Sequence, residues 1–201
     1  MRISRENPLV LASSSPRRRE LLDLARIPFV VVHAPADEAI MEAEPPLVYV
    51  ARVARAKLAA AMVTFEDALR KRAAVVLAAD TTVVVDGRIF GKPRDDEDAR
   101  AMLGELQGRA HEVATAVALG DPATGRVLSD LVVRTTVVFR PVDSAEVDAY
   151  VATGEGRDKA GAYAMQGMAS AFVVRIEGSP TNVIGLPTAE LAMELRRLGL
   201  L

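Results

Sequence analysis

The feature that most constrains the fold is an uninterrupted apolar run at residues 74–79 that ends at Asp80. Such a fully apolar run predicts a strand, with Asp80 at its end. Residues 82–85 continue the strand pattern, and the pair Asp86-Gly87 predicts a hairpin turn. Because α/β sheets usually place ligands at the ends of their strands, Asp80 is a candidate functional residue.

Short apolar segments alternate with helical periodicity along the rest of the chain. Strands are predicted at residues 9–12, 29–32, 112–119, 127–139 and 172–176. Helices are predicted from Pro16, from Pro46 through residue 61, and at residues 95–107, 143–153 and 187–198. This alternation predicts an α/β fold built on a mixed sheet. Residues 154–170 contain four glycines and no clear period, which is typical of a functional loop.

Composition excludes several classes of protein. The 201 residues are 50% hydrophobic, enough for one large domain with a sizeable core, and the net charge of −2 gives no basic surface for general nucleic-acid binding. Cysteine is absent, which excludes disulfides and thiolate chemistry, and His33 and His111 show no metal-ligand spacing. No segment is long enough for a membrane span or resembles a signal sequence, so we expect a cytoplasmic protein without a membrane partner.

Residues 13–18, Ser-Ser-Ser-Pro-Arg-Arg, join the first predicted strand to the first predicted helix. Ser15 stands at the N-cap position, and Pro16 stands at the first helical position. Free N–H groups at a helix N-terminus attract anions, and Arg17 and Arg18 add forked donors that suit phosphate oxygens. The segment therefore predicts a phosphate site, with a capped helix and a solvated basic first turn as the alternative.

Lysine is rare in this chain. Of the 25 basic residues, 21 are Arg and only four are Lys, at positions 57, 71, 92 and 159. Arg replaces Lys freely on a solvated surface, but less freely where a compact, movable ammonium is needed. The four lysines are therefore candidates for a functional role, with ordinary surface positions as the alternative.

Other candidate residues also have an ordinary structural explanation when each is taken alone. Asp80 suits a hard cation or a proton acceptor, but it also suits a turn or a cap. The acidic pair Asp37-Glu38 follows another predicted strand and also fits a solvated loop. Gln166 lies in the 154–170 loop, where its amide can read a base edge or simply face solvent.

In order along the chain, these segments resemble the signature motifs of the Maf family of nucleotide pyrophosphatases. The resemblance lies at residues 11–18 and 20–22, Asp37-Glu38, residues 52–57, 79–81, 91–93, 108–115 and 158–163, Gln166-Gly167 and residues 178–187. Together these motifs span nearly the whole chain, and their order makes them far more specific than any single motif. Ala164 and Met165 depart from the residues common in the family, without altering a chemical role.

The resemblance implies an enzyme, a hydrolase of acid anhydrides that converts nucleoside triphosphates to the monophosphate and pyrophosphate. It implies a single domain over residues 1–201, in which two lobes of an elongated mixed α/β sheet flank a central nucleotide-binding cleft. Such a fold is similar to that of the inosine-triphosphate pyrophosphatases. The implied cofactor is a divalent cation, Mg2+ or Mn2+. The implied role is removal of unwanted nucleotides, with a link to septum formation, and family members are often homodimers.

The positions that match the family motifs take on expected roles. Asp80 is expected to accept a proton, with Lys57 and Lys92 as catalytic cations, and Asp80 and Glu38 are expected to hold the metal. Contacts to the substrate are expected from Ser13, Arg17, Arg18, Glu38, Thr81, Lys159 and Gln166. Family members that act on dTTP and UTP are marked by Arg17, Thr81 and Gln166, and the last two are expected to hydrogen-bond the pyrimidine.

Two alternatives stay open. The first is a Maf-type pyrophosphatase of different range, acting on 7-methyl-GTP or mainly on modified nucleotides. The second is a non-enzymatic regulator of cell division that binds a partner or nucleic acid. The presence of Asp80, Glu38 and the motif lysines argues against the second alternative, as does the slightly acidic charge balance.

Overall fold

A computed structural model describes residues 1–33 and 35–201. The strands are β1 (Leu9–Ala12), β2 (Phe29–Val32), β3 (Val75–Val85), β4 (Arg88–Phe90), β5 (Ala110–Gly120), β6 (Val127–Phe139) and β7 (Val173–Glu177). The α-helices are α1 (Pro16–Leu24), α2 (Pro46–Thr64), α3 (Asp67–Arg72), α4 (Asp96–Leu106), α5 (Ser144–Ala152), α6 (Pro180–Ile184) and α7 (Thr188–Arg197). Two short 3-10 helices lie at Ala160–Ala162 and Met168–Phe172.

The described strands form one mixed sheet, which confirms the predicted α/β class. The order across the sheet is β2-β1-β3-β5-β6-β7, and β4 also pairs with β3. Strand β1 is parallel to both β2 and β3, while the pairs β3-β4, β3-β5, β5-β6 and β6-β7 are antiparallel. The two parallel pairs require crossover connections, and the helices α1 and α2 supply chain for them.

Strand β3 runs through the centre of this sheet, and its two edges are paired differently. One edge pairs with β5 without a break from Val76 to Val84. The other edge pairs with β1 as far as Ala78 and with β4 from Val83 onward. Between these two partners, no described strand pairs with residues 79–82 on that edge, and this interval is called the β3 gap below.

The prediction that a strand ends at Asp80 was wrong. Asp80 lies in the middle of an eleven-residue strand and is paired with Ala116 of β5. The apolar pattern breaks at residue 80, beside the β3 gap, where the Asp80 carboxylate pairs with Lys57 of α2 while the backbone ladder to β5 continues. A polar residue inside a buried run therefore marks an opening beside the strand here, not its terminus.

Three apolar clusters surround β3. On one face of its N-terminal half, Val76 and Ala78 pack with the buried side of α2. On the other face, Val75 and Leu77 pack with apolar residues of α1 and α7. The C-terminal half of β3 packs with α4, α5, Phe139 and Phe172 in the third cluster. Helices thus cover both faces of the strand, which explains why its N-terminal half is apolar without alternation.

Several helix ends follow from local chemistry. The Asp95 carboxylate accepts a hydrogen bond from Asp98 N at 2.8 Å and caps α4. Asp143 and Glu146 form a reciprocal capping box at the start of α5. Ser15 occupies the N-cap position of α1 as predicted, but its side chain makes no capping hydrogen bond. The first-turn N–H groups of α1 are therefore not satisfied by a serine cap.

Some elements were not predicted from the sequence. Helices α3 and α6 are only six and five residues long, too short for a visible apolar period. The 154–170 segment, predicted as a loop, contains the first 3-10 helix and the start of the second. None of the helices among residues 1–33 and 35–201 has the length and apolar character of a membrane span. The division into two lobes within a single domain stays a prediction.

Candidate active site

A cleft of about 650 Å³ lies over the β3 gap. Its walls come from the turn between β1 and α1, the segment after β2, helix α2, the turn after β4, and the 154–170 loop. The structure brings all ten predicted site residues to this one cleft: Ser13, Arg17, Arg18, Glu38, Lys57, Asp80, Thr81, Lys92, Lys159 and Gln166. The individual roles of these residues stay predictions.

One polar contact in the cleft joins two carboxylates through one ammonium. Lys57 Nζ lies 2.7 Å from Asp80 Oδ1 and 2.8 Å from Glu38 Oε1. The side chains of Lys57 and Asp80 are 13% and 9% exposed, whereas that of Glu38 is 48% exposed. The pair at the bottom of the cleft is therefore largely shielded from water, and Glu38 closes it from the solvent side.

Charge around Glu38 keeps it ionised. Burial alone would raise the pKa of Glu38, but the hydrogen bond and charge of Lys57 outweigh it, with smaller contributions from Lys92 and Arg18. The net effect is a pKa below the usual value for a glutamate. Glu38 thus presents a stable anion at the mouth of a cleft that is otherwise rich in cations.

Arg18 is buried and joins three parts of the structure. Its Nε donates to Gly185 O at 2.8 Å, its Nη1 donates to Ser13 Oγ at 3.0 Å, and its Nη2 donates to Thr81 Oγ1 at 3.2 Å. Burial lowers the pKa of Arg18, although the Asp80 charge acts against that shift. An arginine stays charged even so, and Arg18 is one of the residues that line the cleft.

Thr81 and Ser13 have different hydrogen-bonding capacity left. The Thr115 hydroxyl donates to Asn182 O at 3.0 Å, so Thr81 is the donor in its 3.0 Å contact with Thr115. Thr81 then retains one lone pair beside the one that Arg18 uses. Ser13 Oγ accepts from both Ser15 N and Arg18 Nη1, which leaves its hydrogen as a donor.

An ion-pair chain connects the α1 side of the cleft to the 154–170 loop. Arg17 Nη1 lies 3.0 Å from Asp158 Oδ2, and Lys159 Nζ lies 2.5 Å from Asp158 Oδ1. Burial would raise the pKa of Asp158, but the hydrogen bonds from Lys159 and Arg17 lower it to about 2. The Lys159 ammonium also donates to Glu155 O, which fixes it within the loop.

The remaining two predicted residues lie toward solvent. Lys92 follows β4, is exposed, and acts on Glu38 through its charge. Gln166 is exposed in a turn that is closed by the hydrogen bond from Gly167 N to Ala164 O at 3.1 Å. Both side chains line the cleft opening, where they are accessible to a bound ligand.

The donor set of the cleft fits a hard divalent cation. Asp80 and Glu38 supply carboxylate oxygens, and Mg2+ in particular is usually held by one or two carboxylates together with waters and substrate phosphates. Among the described residues, no group of three or more His, Asp or Glu side chains could hold a metal by itself. The two carboxylates therefore fit an ion that shares its ligands with a phosphate-bearing substrate.

Tyr49 and Asp158 are among the cleft residues that were not predicted as site residues. Tyr49 of α2 lines the cleft and is buried in the same cluster as Val50 and Val53. Its position in the sequence matches the apolar face of α2, so the sequence alone indicates an ordinary core residue. Asp158 lies within a motif block, but nothing in the sequence shows that it pairs with Arg17, 141 positions away.

Taken together, the geometry defines a class. The central strand of a mixed α/β sheet places a carboxylate in a cleft that also contains five basic side chains. Such a concentration of cations is typical of proteins that bind polyanions. Those five are Arg17, Arg18, Lys57, Lys92 and Lys159. The chain belongs to the Maf-like protein family, whose model matches residues 8–198.

Several proteins are similar to this chain over almost their full length. The dTTP/UTP pyrophosphatase of Anaeromyxobacter sp. (strain Fw109-5) is 52% identical over 193 residues, covering 95% of this chain and 89% of that protein. The dTTP/UTP pyrophosphatase of Myxococcus xanthus (strain DK1622) is 49% identical, covering 96% and 93%. That of Geotalea uraniireducens (strain Rf4) is 47% identical and covers 95% of both chains.

Solved structures of other proteins are more distant. A dITP/XTP pyrophosphatase from Mycobacterium abscessus aligns with a TM-score of 0.41 and 16% identity, covering 96% of this chain and 95% of that one. The Ham1 protein of Staphylococcus aureus aligns with a TM-score of 0.39 and 18% identity, covering 65% and 70%.

Proposed function

We propose that this chain is a nucleoside triphosphate pyrophosphatase that hydrolyses dTTP and UTP to the nucleoside monophosphate and pyrophosphate. The observation that carries the proposal is the shielded contact of Lys57 with Asp80 and Glu38 inside a cleft lined by further cations. The names of relatives about 50% identical over most of the chain support the same substrates.

Asp80 is the proton acceptor in this proposal. Its carboxylate is fixed by the β3 ladder to β5 and by the 2.7 Å bond from Lys57, so it is preorganised rather than carried on a loop. A water attacks the α-phosphorus and gives its proton to Asp80. The new P–O bond forms as the bond to the leaving pyrophosphate breaks, and pyrophosphate takes the bonding electron pair.

The cations of the cleft serve the phosphates. Negative charge builds on the oxygens around the α-phosphorus and on the leaving group, and fixed cations stabilise it without reorganising. Lys57 contacts Asp80 directly and Lys92 lines the same cleft, while Arg17 and Lys159 both pair with Asp158. Arg18 contributes the charge of a buried side chain that lines the cleft, and its bond to Ser13 holds the β1-α1 turn in place.

Recognition of the base falls to the 154–170 loop in this proposal. Gln166 is exposed at the cleft opening, and its amide offers both a donor and an acceptor to a pyrimidine edge. A site that hydrogen-bonds one base rejects others, because the wrong base leaves polar groups of the site unpaired. Thr81 accepts a hydrogen bond from the base with its remaining lone pair, or it affects the base indirectly by holding the Arg18 guanidinium in place.

A pyrophosphate-release assay on dTTP, UTP, CTP, GTP and 7-methyl-GTP tests the function directly. We expect dTTP and UTP to be turned over fastest, and Asp80→Asn to lower kcat by about 10²–10⁴-fold because general base catalysis is lost. Asp86→Asn, at the exposed β3-β4 turn, is the matched control and should behave as wild type. Normal turnover by a folded Asp80→Asn variant would exclude Asp80 as the base. Preference for 7-methyl-GTP would favour the other branch of the family.

Glu38 and Asp80 would hold the divalent cation, Mg2+ or Mn2+, that this reaction is proposed to need. When bound, such an ion neutralises phosphate charge and polarises the phosphoryl group. We expect excess EDTA to abolish pyrophosphate release and added Mg2+ or Mn2+ to restore it. Undiminished activity in EDTA after exhaustive dialysis would contradict the proposal.

The partners and the compartment are proposed on the sequence alone. We propose a homodimer, a cytoplasmic location and no stable nucleic-acid partner, and light scattering on the purified protein tests the first. A regulator of cell division that works without catalysis would keep its cellular effect in the Asp80→Asn variant. An effect that depends on hydrolysis would be lost in that variant.

A further inference from the structure

Residues 35–45 connect β2 to α2 and carry Glu38 without any helix or strand. Two hydrogen bonds to side chains lie within this segment. Ala39 N donates to Asp37 Oδ1 at 2.9 Å, and Met41 N donates to Glu44 Oε2 at 3.2 Å. Neither bond connects the segment to the sheet, so neither sets the distance between Glu38 and β3.

Helix α2 supplies the missing anchors. Tyr49 Oη donates to Glu38 O at 3.1 Å, and Arg52 Nη2 donates to the next carbonyl, Ala39 O, at 2.8 Å. The Arg52 guanidinium also binds the Glu44 carboxylate through Nε at 2.7 Å and Nη2 at 2.8 Å. Two side chains one helical turn apart therefore hold two consecutive carbonyls of the segment.

Both anchors are themselves held in place. Tyr49 is buried among core residues of α2, and the Arg52 guanidinium lies 5.6 Å above the Tyr49 ring. Burial, with smaller contributions from the charges of Asp80 and Glu38, raises the pKa of Tyr49 to about 12. The partner of the Tyr49 hydroxyl is a carbonyl oxygen, so the hydroxyl is the donor in this contact.

The same helix also holds the Glu38 side chain. Lys57, two turns beyond Tyr49, contacts both Glu38 and Asp80. Tyr49 thus fixes the main chain of Glu38, and Arg52 fixes the main chain of Ala39. Lys57 fixes the Glu38 carboxylate. Because Glu38 is half exposed on an irregular segment, these contacts to α2 determine how its carboxylate faces Asp80.

We propose that Tyr49 and Arg52 are positioning residues, which hold residues 38 and 39 against α2 and so set the Glu38 carboxylate opposite Asp80. The proposal rests on the proposed function for the role of Glu38, but the geometry of the anchors is independent of it. Misplacement of an active-site group by about 1 Å can cost about 10²-fold in rate, so a lost main-chain anchor should be measurable in turnover.

The test uses Tyr49→Phe and Arg52→Gln, with Arg52→Lys as a second, milder variant. Arg55→Gln is the matched control, because Arg55 lies on the same helix but pairs with Asp130 of β6 at 2.8 Å, away from the segment. Two quantities are measured for each protein. One is kcat/KM for UTP, and the other is Mn2+ affinity by electron paramagnetic resonance in the presence of α,β-imido-UTP.

We expect Tyr49→Phe and Arg52→Gln each to lower kcat/KM at least tenfold and to weaken Mn2+ binding several-fold. Arg52→Lys should fall between wild type and Arg52→Gln, since it keeps the charge but not the fork. Arg55→Gln should leave both quantities within twofold of wild type. Melting temperatures show whether any variant is simply unfolded, and Tyr49→Phe removes only one hydroxyl.

A double-mutant cycle with Glu38→Gln separates positioning from general support. If Tyr49 acts through Glu38, Tyr49→Phe should cause little additional loss of Mn2+ affinity in the Glu38→Gln background. Equal losses in both backgrounds, or wild-type kcat/KM and Mn2+ affinity for Tyr49→Phe, would overturn the proposal. Should wild type release no pyrophosphate from any nucleotide, the proposed function fails, while the Mn2+ measurements still decide the positioning role.

Discussion

At the scale of single residues, the site depends on the length and compactness of lysine. The Lys57 ammonium is within 2.8 Å of two carboxylates that come from different parts of the chain. A single nitrogen can lie between two acids in this way, whereas a planar guanidinium must present a fork. Lys57 is therefore constrained by geometry as well as by charge.

We expect Lys57→Arg to lower kcat for UTP at least tenfold, which corresponds to about 1.4 kcal/mol of barrier. The larger, planar group cannot occupy the position between Asp80 and Glu38 without displacing one of them. Lys71→Arg is the matched control, because Lys71 is exposed on α3 between Arg70 and Arg72. Steady-state pyrophosphate release measures both, and equal rates for the two variants would contradict this account.

The scarcity of lysine marked the four lysines as candidate site residues, because arginine replaces lysine freely on a solvated surface. The structure places three of the four in the cleft. Tyr49 could not be found that way. An aromatic residue at apolar spacing on a helix looks like core, and Tyr49 is indeed core except for its hydroxyl. A residue that serves packing and the site together has no separate sequence signal.

At the scale of elements, the 154–170 loop owes its shape to close approaches of its backbone. A Cβ on Gly156 would lie 2.0 Å from the Ala162 carbonyl oxygen, a contact that only a backbone shift could relieve. Gly161 has φ +69° and packs against Val83 of β3. Because these glycines have no side chain, the loop backbone can pack this closely, and the packed loop places Lys159 and Gln166 at the cleft.

Gly156→Ala should destabilise the fold by about 1–3 kcal/mol, since it overpacks a tight backbone contact. It should also lower turnover, because Lys159 and Gln166 lie on the displaced loop. Gly104→Ala is the contrasting substitution, in α4 with no atom within 4 Å of the new Cβ, and should stabilise by about 0.5–1 kcal/mol. Urea unfolding and UTP turnover of both variants check the expectation. A neutral Gly156→Ala would show that the loop relaxes freely.

Element types followed from periodicity, and the predicted mixed sheet is the one observed. The error at Asp80 has a clear cause, because local pattern cannot show which strands lie beside a residue. The β3 gap arises from β1 ending at Ala78 and β4 beginning at Val83, and both are long-range pairings. Sequence patterns predict faces and lengths of strands, but an opening in a ladder depends on partners far away along the chain.

At the scale of the whole molecule, one buried histidine links stability to pH. His111 lies in the third apolar cluster, edge-on to Phe139, with its Nε2 2.9 Å from the Tyr163 hydroxyl. Burial, and to a lesser degree the charge of Arg109, lowers the pKa of His111 to about 4. Within residues 1–33 and 35–201 no group hydrogen-bonds its buried Nδ1, so protonation would place an uncompensated charge in the core.

Stability should therefore fall as the pH falls below about 6.5. In the unfolded chain His111 binds a proton near its ordinary pKa, whereas in the folded chain it stays neutral down to about pH 4. The unfolded state thus binds more protons in this window, and the free energy of unfolding should decrease by about 1.5 kcal/mol between pH 6.5 and pH 5. Below pH 5 the carboxylates contribute as well.

Denaturant unfolding at several pH values measures this slope. His111→Gln should flatten it between pH 6.5 and pH 5, whatever its effect on absolute stability. If the slope persists in His111→Gln, another group must be responsible for it.

The arrangement of residues around the β3 gap also affects how the substrate specificity of such a molecule can change in evolution. Asp80 is fixed in the central strand, whereas Glu38 and Gln166 lie on irregular segments outside the sheet. Under the proposed function, the bond-breaking step and the choice of base are then encoded in separable parts of the chain. Substitutions in the 154–170 loop can change which nucleotide is accepted while the hydrolytic carboxylate keeps its place. A scaffold arranged in this way is readily evolvable toward new substrates.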